Sequence, residues 1–345
     1  MSRILVVMPN WFGETLFATP FLRRLHESEP DAEIVAIGVG RSHDVLRQNP
    51  RVEQLLVLDE RSTHRGLWEK VRLIQSLRRK RFDAAYILRR SATRTALLAL
   101  AGVPRRIGFA NPRSGWLLTD RVPEPRGPMH KARTYLSLIR GADAGGEEPV
   151  LRGEYYPSDG EREWAGEWFA RHGLAGSQPV IVLHPGANWD HKRWPAVRFA
   201  ELATRLHLRH AGHVLLTGAP HDRRLIESIQ AQLDVPVQIL AGEASIRQLA
   251  ACLDRASVVV TNDTGPAHLT AALSRPLVAL YGPTSPTLTG PLGDPRRTTV
   301  IHHADCCPQI PCFAPNHPSH PGMESISVDE VDEAVNRLLQ MTHDK

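Results

Sequence analysis

Short, β-branched apolar runs recur along this chain, each followed by a stretch with helical periodicity, and that alternation leaves few folds open. Residues 3–8 read RILVVM, and the segment from Glu14 to about Glu29 carries Leu16, Phe17, Phe21, Leu22 and Leu25 at helical spacing. Further runs fall at 33–37, 52–58, 84–88 and 106–109, with helical stretches such as 67–79 and 93–101 between most of them. Unbroken apolar runs suit strands buried on both faces, hence parallel sheets covered by crossover helices. Residues 141–157 (GADAGGEEPVLRGEYYP) interrupt the pattern with Gly, Pro and acids, as a linker does. The alternation then restarts, with strands expected at 180–184, 213–217, 237–240, 258–260 and 277–280 and a last amphipathic helix at about 328–341. Residues 306–322, rich in Pro, His and Cys, read as irregular. The pattern predicts an α/β chain of two doubly wound parallel-sheet domains, 1–150 and 151–325, facing each other across a cleft, with 326–345 as a closing helix. Ligands in such sheets bind beyond the carboxyl ends of the strands, so the loops after the strands carry the functional question.

Composition narrows the setting. The 345 residues suffice for two full cores. No apolar run approaches the roughly 18 residues of a membrane span, and the opening MSRILVVMPNWFGE reads as a buried strand, not a signal peptide. Four Cys exclude a disulfide scaffold and suit a cytoplasmic setting. Residues 1–150 hold 25 Lys+Arg against 16 Asp+Glu, whereas the remainder holds 17 against 21. A basic half suits an anionic partner, although a merely solvated basic surface explains the charge as well. Nucleic acid is disfavoured: the basic residues are scattered, aromatics are 6 %, and no zinc-finger, helix-turn-helix or RNP-like signature is present.

Two phosphate motifs are missing. There is no GxxxxGK[ST], and no GxGxxG follows the first strand, since Gly38-Val39-Gly40 lacks the third glycine. P-loop hydrolysis and dinucleotide-dependent hydride transfer lose their support. In the first loop, Pro9-Asn10-Trp11-Phe12-Gly13-Glu14, the carboxylate of Glu14 opens a helix. It can serve as general base toward a hydroxyl, or simply answer the helix dipole. The second loop runs from His184 to Pro195. Gly186 bares backbone, Asn188 offers an amide, and Lys192 and Arg193 bring cations to a helix start, which points to phosphate binding. An exposed loop anchored by Trp194 is the plainer reading. The third, Thr261-Asn262-Asp263-Thr264-Gly265-Pro266-Ala267-His268, combines a cap, an open backbone and a polar ring, more than capping alone needs. Its N–H groups would hold a pyrophosphate. Gly218 and Asp222 follow the 213–217 strand, where an acid can bond ribose hydroxyls, and Tyr281-Gly282-Pro283-Thr284 follows the 277–280 strand. Cys306, Cys307 and Cys312 lie near His302, His303, His317 and His320, yet the spacing is not that of repeated CxxC pairs, and no metal is expected.

Taken in order, VVMPNWFGETLFATPFLRRL, SATRTALLALAGVPRRIGF, VIVLHPGANWDHKRWP, LLTGAPHD, VVVTNDTGPAHLTAAL and ALYGPTSP span nearly the whole chain. Together they resemble the ADP-heptose:lipopolysaccharide heptosyltransferases of glycosyltransferase family nine. The resemblance implies a GT-B fold of two Rossmann-like domains, acceptor in the first and donor nucleotide in the second. It implies transfer of heptose from ADP-heptose to the lipopolysaccharide inner core, inverting and without a metal or other cofactor. The family's general base falls on Glu14, where the usual Asp is one methylene shorter. Its lysine before the Trp-Pro pair falls on Lys192, facing the leaving diphosphate, and its ribose-binding acid on Asp222. Asp263, Thr264, Gly265 and His268 would surround the phosphates and donor sugar, with Gly186, Asn188 and Gly218 beside them. The family's Cys before Met is replaced, since Gly322 precedes Met323. A phosphorylated core acceptor would meet Arg61, Arg65, Arg89, Arg90 and Arg94, with the protein peripheral at the cytoplasmic face of the inner membrane and no nucleic-acid partner. Two alternatives remain open at this point. One is a GT-B transferase with another nucleotide-sugar or acceptor, the other a nucleotide-sugar-binding protein impaired in catalysis.

Overall fold

The computed structural model describes residues 1–59, 64–112, 115–139, 151–307, 310–312 and 320–343. The chain forms two compact units, Met1–Tyr156 and Pro157–Lys345. The first therefore runs past residue 150, and Glu154 shows why. Its N–H donates to Thr19 Oγ1 at 2.9 Å, and its carboxylate receives Arg23 at 3.0 Å and Arg51 at 2.5 Å. Much of the expected linker lies outside the described residues.

In the first unit six strands, β1 (Arg3–Val7), β2 (Glu33–Gly38), β3 (Gln54–Val57), β4 (Ala84–Ile87), β5 (Arg105–Phe109) and β6 (Asp120–Val122), form one sheet. Its order is β3-β2-β1-β4-β5-β6, with every pair parallel. Leu5, Val7, Val35, Ile37, Ala85 and Ile87 pack against Leu73, Leu77, Leu97 and Leu98 from the covering helices. Each fully buried apolar side chain of this kind contributes about 1.5–3 kcal/mol relative to exposure. The chain builds outward from β1 to β3 and then returns to place β4 beside β1. That reversal opens a crevice at the carboxyl ends of β1 and β4.

The helix expected from Glu14 to Glu29 is instead two helices, Phe12–Phe17 and Thr19–Ser28. Pro20 is the cause. It has no N–H for the carbonyl of Leu16, and its ring would crowd that carbonyl in a continuous helix. The hydroxyl of Thr19 donates to Leu16 O at 2.8 Å in its place.

The second unit repeats the scheme with β7 (Val180–His184), β8 (His213–Gly218), β9 (Val237–Ala241), β10 (Val258–Asn262), β11 (Leu277–Tyr281) and β12 (Thr298–His302). The order β12-β11-β10-β7-β8-β9, again all parallel, is the same winding counted from β7. Its crevice therefore lies at the ends of β7 and β10. The last helix, Val328–His343, is part of this unit: Val331, Val335, Leu338 and Leu339 belong to the core that holds Leu183, Val260 and Leu280. Trp194 belongs to the same core and ties it to the segment before that helix, its indole N–H donating to Ile326 O at 3.0 Å.

Candidate functional site

In the second unit the loops after β7, β10 and β11 converge on Asp263. The residue is 6 % exposed and sits one position past the end of β10. Lys192 Nζ donates to its Oδ2 at 2.6 Å, and Thr284 Oγ1 donates to the same oxygen at 2.6 Å. His268 Nε2 lies 3.9 Å from the other oxygen. Burial pushes this carboxyl upward, but the Lys192 ammonium, His268 and the two hydrogen bonds outweigh it and hold Asp263 below the usual carboxylate range. The carboxylate is thus ionised and fixes Lys192 and Thr284 at the rim of the crevice. Charge-assisted bonds of this length are among the stronger ones.

Asn262 ties the neighbouring loop into register. Its Nδ2 donates to Pro185 O at 2.8 Å, and its Oδ1 accepts from Trp194 N at 3.1 Å. Residues 185–194 are thereby pinned at both ends, and Lys192 leaves a short 3-10 turn, Asp190–Lys192, aimed at β10. The helix Gly265–Ala272 starts beside them. Its cap residue Thr264 makes no capping bond, and the buried Thr264 Oγ1 has no hydrogen-bond partner among the described residues. The N–H groups of this first turn and a hydroxyl therefore lie next to the Lys192 ammonium, which is the donor set an anion needs.

Asp222 follows β8, as the sequence suggests, and is buried there. It is 3 % exposed; Oδ2 accepts the Ala219 N–H at 3.0 Å and Oδ1 receives Arg193 at 3.4 Å. A Cβ on Gly186 would come within 2.3 Å of Oδ2, and one on Gly218 within 3.0 Å of the Asp222 Cβ. The carboxylate of Asp222, the acid expected to meet the ribose, is packed beneath Gly186 and Gly218 and joins the loops after β7 and β8. Asn188 is exposed at the tip of the loop after β7. At the strand end, burial lowers the His184 imidazole to about 4, so it is neutral, and its Nδ1 meets Thr217 Oγ1 at 3.0 Å.

In the first unit the loop after β1 is built by Arg94. That side chain, 2 % exposed, donates to Met8 O at 3.1 Å and to Asn10 Oδ1 at 2.7 Å from the helix that follows β4. Ser42 adds a bond to Pro9 O at 2.8 Å. Arg94 is expected from the sequence to meet an acceptor; burial commits its guanidinium to the Met8 carbonyl and the Asn10 side chain instead. Glu14 is half-buried in the first turn of the helix Phe12–Phe17. The Tyr135 hydroxyl is held well above its ordinary value by burial and then by the negative charge of Glu14, against the opposing charge of Arg89. Glu14, Tyr135 and Arg89 thus share one electrostatic neighbourhood, and the Lys131 ammonium lies 5.9 Å from the Tyr135 ring centroid.

Arg89 and Arg90 are exposed just beyond β4, Arg90 paired with Glu124, and Arg65 is exposed before the helix Leu67–Lys80. Arg61 lies outside the described residues. Lys131 and Tyr135 escaped the sequence reading because no spacing motif marks them; they arrive through the fold, on the helix Lys131–Leu136 packed against Phe12–Phe17. A concavity of about 500 Å³ lined by Ser2, Glu29, Arg105 and Asp120 opens at the opposite, amino-terminal end of these strands.

Comparison with known proteins agrees with this layout. Residues 70–316 match the model of glycosyltransferase family 9 (heptosyltransferase). The chain is 32 % identical over 306 residues to lipopolysaccharide heptosyltransferase 2 of Escherichia coli (strain K12), covering 86 % of this chain and 87 % of that one. The solved structure of E. coli ADP-heptose lipopolysaccharide heptosyltransferase II aligns with a TM-score of 0.81 at 28 % identity, covering 99 % of each chain. A family 9 glycosyltransferase from Veillonella parvula shares the fold at a TM-score of 0.85 and 23 % identity, covering 99 % of this chain and 97 % of that one. The two six-stranded parallel sheets are those of the GT-B heptosyltransferases. With a family model over most of its length and a relative this similar, the chain belongs to glycosyltransferase family 9, the heptosyltransferases.

Proposed function

We propose that this glycosyltransferase moves a heptose from ADP-heptose to a phosphorylated lipopolysaccharide inner-core acceptor, inverting the anomeric centre without a catalytic metal. The observation that carries the reading is the Lys192–Asp263–Thr284 cluster beside the uncapped helix at Thr264. A departing ADP needs positive charge on its diphosphate. Lys192 retains two further N–H bonds to give once Asp263 has taken one, and the first turn at Gly265 adds N–H dipoles. Fixed donors of this kind do the work that a divalent ion does elsewhere. On the acceptor side, Glu14 takes the proton of the attacking hydroxyl as the new glycosidic bond forms and the bond to the diphosphate breaks. Arg65, Arg89 and Arg90 supply exposed cations for core phosphates, half-buried Lys131 joins them, and Arg61 is kept as a further candidate from the sequence. Asn188 and His268 line the donor side. Among the described residues no helix is long and apolar enough to cross a membrane. The lipid-anchored acceptor would be met at the cytoplasmic face of the membrane, where the basic first unit is favoured by anionic headgroups.

A donor screen tests this. ADP-heptose, UDP-sugars and GDP-sugars are offered with purified heptose-deficient core acceptors, with and without added Mg²⁺ or Mn²⁺. Turnover with ADP-heptose alone, unchanged by added metal, is the expected result. Preference for a UDP- or GDP-sugar, or a rate that requires the metal, refutes it.

A further inference from the structure

One helix face of the first unit serves neither the core nor the catalytic reading. The helix Leu67–Lys80 follows β3 and turns Leu73, Ile74 and Leu77 toward the core. On its opposite side Trp68, Arg72, Gln75, Ser76 and Arg79 follow one another at helical spacing, and all five are exposed. Leu67 and Trp68, the two apolar side chains of the first turn, are each 75 % exposed. The helix carries Lys70, Arg72, Arg78, Arg79 and Lys80 against one acid, Glu69, which folds back toward Gly66 and off the outer stripe. Arg72 and Arg79 have no hydrogen-bond or ion-pair partner among the described residues. We propose that this stripe is the surface by which the protein docks on a bilayer rich in anionic phospholipid, an inference that rests on the reading of a lipid-anchored acceptor.

Charge complementarity selects an anionic partner, and the apolar first turn selects a bilayer among the anionic ones. Arg72 and Arg79 stand about 10 Å apart along the helix axis with no acid between them. A concavity of about 400 Å³ opens between them, lined also by Gln75, Ser76, Lys80 and Arg3. Arg3 is spent on Glu33 at 2.6 Å and on Lys80 O at 2.9 Å, and Lys80 Nζ donates to Gln54 Oε1 at 2.7 Å. A headgroup phosphate seated here therefore falls to Arg72 and Arg79. Tryptophan settles at headgroup level, where its ring meets acyl chains and its N–H meets water, and basic helices with such residues lie in the interface. A nucleic-acid duplex would take the guanidiniums but leave Leu67 and Trp68 in water. A second copy of the chain would set one cationic stripe against another. The helix starts where β3 ends, so Leu67 and Trp68 lie at the carboxyl edge of the sheet, the edge of the crevice that holds Glu14. Docking by this stripe would bring that edge to the surface at which a lipid-anchored sugar is presented.

Full-length protein, without donor or acceptor, is sedimented with vesicles of phosphatidylcholine alone and of phosphatidylcholine mixed with phosphatidylglycerol. Binding to the mixed vesicles only, weakening as salt rises, is the expected result. Replacing Arg72 and Arg79 together with Gln should weaken it about 30-fold, the equivalent of about 1 kcal/mol for each cation. Phospholipid brominated in its acyl chains should quench the tryptophan fluorescence of the bound protein, and Trp68→Phe should remove most of that quenching. These side chains are exposed, so the variants should keep the wild-type Tm and, with a water-soluble acceptor, the wild-type kcat and KM. Only turnover of an acceptor embedded in the mixed vesicles should fall. Where a variant is poorly folded, the vesicle preference and the quenching of the wild-type chain still decide the matter. Equal binding to neutral vesicles, unchanged affinity in the double arginine variant, or quenching that survives Trp68→Phe overturns the proposal. Self-association or duplex DNA binding through this stripe, with no vesicle binding, overturns it as well. Vesicle binding is read with no sugar present, so its failure and a failed donor screen are separate results.

Discussion

At the residue scale, the two charges assigned to chemistry have different partners, and their substitutions should separate cleanly. Glu14 stands in the first unit and shares one electrostatic neighbourhood with Tyr135 and Arg89. Glu14→Gln keeps the shape and removes the base, so turnover should drop by about 100- to 10,000-fold while ADP affinity holds. Calorimetry with ADP and a rate measured on the same preparation check this; a rate within threefold of wild type removes Glu14 from the mechanism. Lys192→Ala should do the opposite to binding. The loss of a charge-assisted contact to the diphosphate, about 1.5–3 kcal/mol, weakens ADP by roughly 10- to 100-fold. It also leaves the Asp263 carboxylate with Thr284 and His268 but without its main cation, so its pKa climbs back toward the ordinary value. In that variant ADP binding should recover partly as pH falls and Asp263 takes up a proton, because a neutral Asp263 no longer repels the diphosphate. Unchanged ADP affinity in Lys192→Ala would place the diphosphate elsewhere.

At the scale of elements, the same loops show what a sequence does and does not disclose. Gly186 was legible as a position where backbone must be bare, but the reason was not. The structure supplies it: the Asp222 carboxylate fills the place of a side chain, its Oδ2 2.3 Å from where a Cβ would stand. Gly186→Ala must therefore displace a buried, doubly bonded carboxylate and the loop after β7 with it. We expect ADP binding to fall at least tenfold, since displacements of about 1 Å are already costly at such sites. Stability should drop by about 1–3 kcal/mol through overpacking, read as a lower urea midpoint. Normal ADP affinity would show that this loop does not hold the donor. The buried strands were readable because two covered faces demand unbroken apolar runs, as in RILVV and VVV. The edge strands β6 and β12 escaped, since an edge needs no such run and Asp120-Arg121-Val122 has none. Pro20 was visible in the sequence, yet the helical periodicity ran through it, and only the bond from Thr19 to Leu16 explains how one helix becomes two without an orphaned carbonyl.

At the scale of the whole molecule, the charge asymmetry is legible from composition, whereas the division of labour among its arginines is not. The +9 balance of residues 1–150 is a sum over side chains that do different things. Arg94 contributes to that sum from a buried position, 86 residues from the carbonyl that it holds, and no local motif reveals such a partner. Arg23 and Arg51 are likewise spent on Glu154. What remains for an anionic acceptor is the exposed set that includes Arg65 and Arg89, with Arg90, whose solvent-exposed pairing with Glu124 an acceptor phosphate can displace. Attraction by exposed charges is screened over about 8–10 Å at physiological salt, whereas the Lys192–Asp263 pair is shielded by burial. Raising salt should therefore increase the acceptor KM several-fold and leave the donor KM almost unmoved. Replacing Arg89 and Arg90 together with Gln should reproduce the same selective loss at low salt and blunt the further effect of added salt. Arg94 must be left in place in this test, because Arg94→Gln would loosen the loop after β1 and lower kcat for a reason unrelated to long-range attraction. A basic surface that merely keeps the protein soluble predicts small and equal changes in both KM values. If salt and the double substitution leave the acceptor KM unchanged, the charge of the first unit is not there for the acceptor, and a neutral saccharide becomes the better substrate to try.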